Sequence, residues 1–173
     1  TIPGKDTFIG ELDGSVTDRT RAIGAAFDGA GMHCIVSDNI MGVIWDKLLV
    51  NVATGAVCGI THLPYGDMYE EEKLVACACA AVQEGMDVAK AAGVKLTYSD
   101  PMDVLELARA GLPESFKPSI LQSLEKHRPT EVGVINGAVV AQGTKYGVPT
   151  PVNETLVACV TGIERYIREY VNK

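Results

Sequence analysis

Aromatic residues are scarce in this chain, with three Phe, six Tyr and a single Trp among 173 residues. Hydrophobic residues still make up 47% of the sequence. The core must therefore be built from aliphatic side chains and alanine, which favours closely packed helices. A basic excess is also missing: the formal net charge is −7 and the pI is about 4.9. This argues against nucleic acid and against an anionic membrane surface as partners. It leaves room for a local basic site that binds an anionic small molecule. No Cys-x-x-Cys and no Cys/His spacing suggests zinc, so no metal site is expected. The five cysteines, Cys34, Cys58, Cys77, Cys79 and Cys159, are odd in number and irregularly spaced. Their small and apolar neighbours suggest buried, reduced thiols in a cytoplasmic protein. His33, His62 and His127 share no helical face. No charged-then-apolar leader opens the chain, and no apolar run reads as long enough to cross a bilayer. The first residue is Thr1 rather than methionine, and the expectation is a truncated sequence.

What is present first reads as a β-α-β unit. Residues 7–12 suggest a strand ending at the Asp13-Gly14 turn. Ser15 or Thr17 would cap a helix running to Ala30, and residues 32–36 suggest a second strand. Two strands and one helix cannot bury both faces of a sheet. The unit therefore looks like the tail of a larger sheet domain. Everything after Asp38 reads as helical. Asp38 is the expected N-cap of a helix to Val57, weakened at its far end by Gly55 and Gly59. A turn at Leu63-Pro64-Tyr65-Gly66 precedes a helix opening at Asp67 and closing at Gly93. Further helices are expected from Pro101 to Ala110, from Pro118 to Lys126, from Pro129-Thr130-Glu131 to Tyr146, and from Thr150-Pro151 onward.

Within the first long helix lies Trp45-Asp46-Lys47-Leu48-Leu49-Val50-Asn51. Residues four apart share a helical face, so Lys47 and Asn51 should project together. The apolar neighbours Ile44, Leu48 and Val52 suggest a half-buried face. A lysine on such a face has a lowered pKa, suiting a general acid near neutral pH. A lysine snorkelling from an apolar stripe, with Asn51 bonding locally, explains the pair taken alone more simply. A second polar cluster comprises Ser119 in the first turn of its helix, then Thr130-Glu131 and Ile135-Asn136-Gly137. Glu131 alone could simply complement a helix dipole. Asn136-Gly137 inside a helix would be explained by close helix approach.

Taken in order, these segments resemble the C-terminal domain of the ketopantoate reductase family. The resemblance rests on Ile9-Gly10-Glu11, Asp38-Asn39-Ile40, Trp45-x-Lys47-Leu48-x-x-Asn51, Glu84 and Ala91-Ala92-Gly93. It continues through Ser119-Ile120-Leu121-Gln122, Thr130-Glu131, Ile135-Asn136-Gly137 and Gly147-Val148-Pro149-Thr150-Pro151-Val152-Asn153. It implies a mainly α fold: a six-helix-type domain of the 6-phosphogluconate dehydrogenase-like kind at 38–173. At 1–37 it implies the incomplete tail of a nucleotide-binding Rossmann domain. The Gly-x-Gly-x-x-Gly fingerprint of such a domain is absent, and Gly29-Ala30-Gly31 is a helix end.

The implied activity is NADPH-dependent reduction of a 2-oxo acid, ketopantoate or a relative, on the route to pantothenate and coenzyme A. The main NADPH site would lie in an N-terminal Rossmann domain that this sequence lacks. Lys47 would be the general acid and Asn51 would orient the keto oxygen. Ser119 would hold the substrate carboxylate, and Glu131 would lie near the nicotinamide ribose and influence the lysine. Two family asparagines are replaced, by Gly55 and Tyr65, and Tyr65 could supply a substituting hydroxyl or simply pack in its turn. A homodimer is compatible with the resemblance. The alternative is a non-catalytic helical dimerisation or interaction module descended from such a reductase.

Overall fold

The computed structural model describes residues 6–172; the first five residues of the expected 1–37 unit, and Lys173, lie outside them. Strands β1 (Thr7–Ile9) and β2 (Cys34–Val36) pair in parallel, Thr7 opposite Cys34 and Ile9 opposite Val36. Helix α1 (Asp18–Gly29) crosses between them. Its start is fixed by a reciprocal cap: Thr20 N donates to Thr17 Oγ1 at 3.2 Å, and Thr17 N donates to Thr20 Oγ1 at 3.1 Å. Both strands are shorter than expected. β1 stops at Ile9 because the chain at Gly10 passes so close to Ser37 O and the Ile40 side chain that a Cβ there would lie 2.6 and 2.8 Å from them.

The helical part contains α2 (Ile40–Thr61), α3 (Tyr65–Glu70), α4 (Glu72–Ala91), α5 (Pro101–Arg109), α6 (Ser119–Glu125), α7 (Asn136–Tyr146) and α8 (Pro151–Tyr166), which a π-helical turn, Ile167–Val171, extends. The protein is thus mainly α with one small parallel sheet. Among the described residues this is seven α-helices rather than about six, because the chain is extended at Glu71 (φ −93°, ψ 99°) and separates α3 from α4.

Helix α2 is the axis of the domain and packs on α4, α5, α6 and α8. Leu49, Val52, Ala53, Ala56 and Cys58 are completely buried. Contrary to the sequence reading, α2 is long and apolar enough to span a bilayer by length and composition; 56% of its most apolar window is packed inside this domain. It starts at Asn39 rather than Asp38: Gly42 N donates to Asn39 Oδ1 at 3.3 Å, and Asn39 Nδ2 donates to Lys95 O at 2.8 Å. Nor do Gly55 and Gly59 end it early. They are where α6 crosses, and a Cβ would lie 3.1 Å from Ile120 Cδ1 at Gly55 and 2.7 Å from Ile120 Cγ2 at Gly59. The missing side chains let two helix backbones approach.

All five cysteines are free, but only Cys34 and Cys58 are buried; Cys77 and Cys79 are partly covered and Cys159 is exposed. Burial pushes the Cys58 thiol up to about 12. Burial likewise raises the Tyr65 and Tyr69 phenols, and Tyr69 donates its proton to Leu105 O at 2.6 Å. Each of these groups is neutral in the fold and ionises at a lower pH once unfolded. Their contribution to stability is complete below about pH 8 and falls as pH rises toward 12. Urea unfolding midpoints measured from pH 8 to 11 should therefore decline steadily; a flat profile would contradict the burial of these three groups.

Candidate functional site

One stripe of α2 faces solvent. Trp45 and Leu49 turn into the core, while Ile44, Lys47 and Asn51 are exposed. The expected half-buried face is not what α2 presents around the lysine. Val52, which suggested burial, stands about 140° round the helix from Lys47 at 100° per residue, and Ile44 is 50% exposed. The neighbouring Asp46 is directed away, its carboxylate accepting from Thr97 N at 3.2 and 3.3 Å. Among the described residues no carboxylate pairs with Lys47.

The stripe continues at Thr54, seven residues after Lys47 and so on the same face. There it dips into the core. Thr54 is 1% and Tyr65 6% exposed, and their hydroxyls lie 2.8 Å apart. The Tyr65 ring packs on Phe116 and Tyr69, with centroids 4.9 and 5.8 Å away. Tyr65 thus walls the inner end of the stripe rather than projecting from it. Its hydroxyl is partnered by Thr54, and the residue also borders a second cleft with Gly66, Tyr69, Glu106 and Arg109.

Beside Gly55, one turn beyond Asn51, Ile120 of α6 lies against α2. Ser119, the residue before it, is exposed and opens α6 at this crossing. Ser119 Oγ is 3.4 Å from Glu131 Oε2, long for an O–H···O hydrogen bond and easily exchanged. Glu131 is not in the first turn of a helix, as Pro129-Thr130-Glu131 suggested. Residues 130–135 form a tight turn, and α7 starts only at Asn136. Val134 N and Ile135 N both return to Glu131 O at 3.0 Å. Asn136-Gly137 therefore opens α7 instead of interrupting it, and a Cβ at Gly137 would meet only Val132 O, at 3.4 Å.

The structure accordingly joins Ser119 to Glu131 directly, and links that pair to Asn51 and Lys47 through the Ile120–Gly55 contact. A cleft of about 650 Å³ opens on the neighbouring side of α2, lined in part by Leu12, Asp38, Trp45, Leu48, Lys95 and Lys145; Lys47, Asn51, Ser119 and Glu131 do not line it. The chemical content of the exposed stripe is one ammonium, one amide, one hydroxyl and one carboxylate. These can protonate an oxygen, hold it and bind a small anion.

Residues 39–164 match the family described as ketopantoate reductase PanE/ApbA, C terminal. The chain is 31% identical over 159 residues to a 2-dehydropantoate 2-reductase of Archaeoglobus fulgidus, covering 91% of this chain and 52% of that protein. Among solved structures, it resembles a PanE/ApbA family ketopantoate reductase from Ralstonia eutropha JMP134 with a TM-score of 0.82 and 30% identity, over 95% of this chain and 53% of that one. A D-mandelate dehydrogenase in complex with NADH has a TM-score of 0.83 at 24% identity, over 94% and 55%, a likeness of fold alone. The chain spans about half the length of the curated relatives it matches.

Proposed function

Because this chain belongs to the ketopantoate reductase family, through that family's C-terminal domain, we propose that it is the substrate-binding part of an NADPH-dependent reductase. The substrate in this reading is a 2-oxo acid, ketopantoate or a relative, converted to the 2-hydroxy acid in the cytoplasm. The observation that carries the proposal is that Lys47 and Asn51 are both exposed on one face of α2, with the Ser119–Glu131 pair at the start of the helix that crosses α2. Residues 1–37 belong in this proposal to the nucleotide-binding domain, and 38–173 form the substrate domain.

The dinucleotide phosphates do not fit the loop after β1. That loop carries Asp13, whose charge repels phosphate, and Glu11, whose carboxylate is already paired with Arg19, and Gly10 is closely approached by Ser37 and Ile40. The main cofactor site is therefore assigned to a domain outside this chain, with Glu131 alone near the nicotinamide ribose. The work left to these residues is binding, orientation and proton delivery. Lys47 donates a proton to the former keto oxygen, and its charge stabilises the developing alkoxide. The Asn51 amide donates a hydrogen bond to the same oxygen. Ser119 has one O–H: rotated away from Glu131, it donates to the substrate carboxylate. The loose 3.4 Å contact makes that exchange easy. Glu131 remains an acceptor that favours the charged lysine before transfer. Because Lys47 and Asn51 are exposed, closure of the second domain over them is what removes water from the reaction.

The test is an assembled protein, this chain joined to its nucleotide-binding half, assayed for NADPH oxidation against a panel of 2-oxo acids. Turnover with at least one such acid is expected. A stable dimer that oxidises NADPH with none of them would establish the non-catalytic dimerisation module instead.

A further inference from the structure

The proposed site depends on where Glu131 is held, and Glu131 sits in a turn, not in a helix. Four features fix that turn. Val132 and Ile135 are buried pegs, 3% and 7% exposed. Val132 N donates to Thr130 Oγ1 at 3.2 Å, and Glu131 O accepts from two amides. The fourth comes from another helix: Thr130 N donates to Glu164 Oε1, on α8, at 2.6 Å. This charge-assisted bond crosses 34 residues of sequence. Pro129 has no N–H, so Thr130 carries the first amide donor of the turn, and no preceding amide can replace it.

We infer that Glu164 is a positioning residue for Glu131: its carboxylate clamps the 130–135 turn from α8 and so sets the Glu131–Ser119 geometry. Glu164 touches neither the substrate nor the reacting atoms; it acts through the backbone of the residue before Glu131. The inference rests on the proposed reductase site for its functional meaning, while the clamp itself is a property of the turn. Removing the carboxylate leaves Thr130 N–H without its acceptor and frees the entry to the turn. Glu131 then departs from Ser119, and misplacement of a catalytic group by about 1 Å can cost roughly 100-fold in rate.

Two variants separate clamping from general stability, both in the full reductase that carries this chain. Glu164→Ala is expected to lower kcat/KM by roughly 10- to 100-fold. Glu164→Gln keeps an acceptor oxygen and should restore activity to within a few-fold of wild type. Since Glu164 works through Glu131, adding Glu164→Ala to Glu131→Gln should cost little more than Glu131→Gln alone. Fully multiplicative losses, or equal activity losses in the two Glu164 variants, would overturn the inference. Amide hydrogen exchange provides a readout that needs no turnover. Residues 130–135 should exchange faster in Glu164→Ala and not in Glu164→Gln, and unchanged exchange in both would overturn the clamp. If wild type reduces no 2-oxo acid, the reductase reading fails by itself, and exchange still decides the clamp.

Discussion

Replacing Lys47 by alanine in the assembled reductase is expected to lower kcat by about three orders of magnitude, the combined loss of a general acid and of a cation facing a developing alkoxide. KM should change much less, because the substrate carboxylate is assigned to Ser119 and not to the lysine. The fold should be indifferent to the change: Lys47 is exposed and, among the described residues, pairs with no carboxylate. Circular dichroism and Tm of the variant should match wild type, so a loss of rate would be chemical in origin. Lys47→Arg sharpens the result. A guanidinium keeps the positive charge but does not give up a proton near neutral pH. An arginine variant as slow as alanine assigns the lysine's effect to proton delivery, and one close to wild type assigns it to charge. A steady-state rate for Lys47→Ala near that of wild type would remove Lys47 from the mechanism.

The second large effect concerns stability. Helix α8 begins at Pro151, and its N-cap Thr150 makes no side-chain capping bond to the helix backbone. The free amides of its first turn are capped from α4. Glu84 accepts from Val152 N at 2.8 Å, from Asn153 N at 3.0 Å and from Asn153 Nδ2 at 2.7 Å. Asn153 is completely buried; its Nδ2 also donates to Ala81 O at 2.9 Å, and its Oδ1 accepts from Asn136 Nδ2 at 3.0 Å. One carboxylate thus ties the starts of α7 and α8 to the middle of α4. Glu84→Ala strands donors at a partly covered helix end, where each lost charge-assisted bond is worth about 1.5–3 kcal/mol and water recovers part of it. A net loss of about 3 kcal/mol is expected, which lowers Tm by roughly 6–12 °C for a domain of this size. A shift under 2 °C in a thermal melt would show that the cap contributes little.

The helical part of the fold was legible because its signals are local. Gly93, Gly111 and Gly147 stand at positive φ after α4, α5 and α7, and Asp100-Pro101 and Thr150-Pro151 mark the starts of α5 and α8. The pairing of Lys47 with Asn51 followed from helical periodicity. Their exposure did not, because the apolar residues nearby in sequence point elsewhere round the axis. The turn at 130–135 was read as helix for a similar reason. Pro129-Thr130-Glu131 has the composition of a helix start, but the Thr130 amide is taken by Glu164, a partner 34 residues away that no local pattern announces. Gly55 and Gly59 were read as weak points in α2, whereas they admit Ile120. That Ser119 would stand beside the Asn51 turn depends on this crossing, and the crossing is invisible without the packing.

Gly55 itself touches no proposed ligand, yet the closeness with which α6 crosses α2 is set there and at Gly59. A single methyl group at Gly55 would lie 3.1 Å from Ile120 Cδ1, so the end of that side chain would have to give by a few tenths of an ångström where the helices cross. In the proposed reductase, the reach between the two ends of a bound acid would be gauged by how near these two helix axes come. The gauge can be reset by a residue that no inventory of ligand contacts would include.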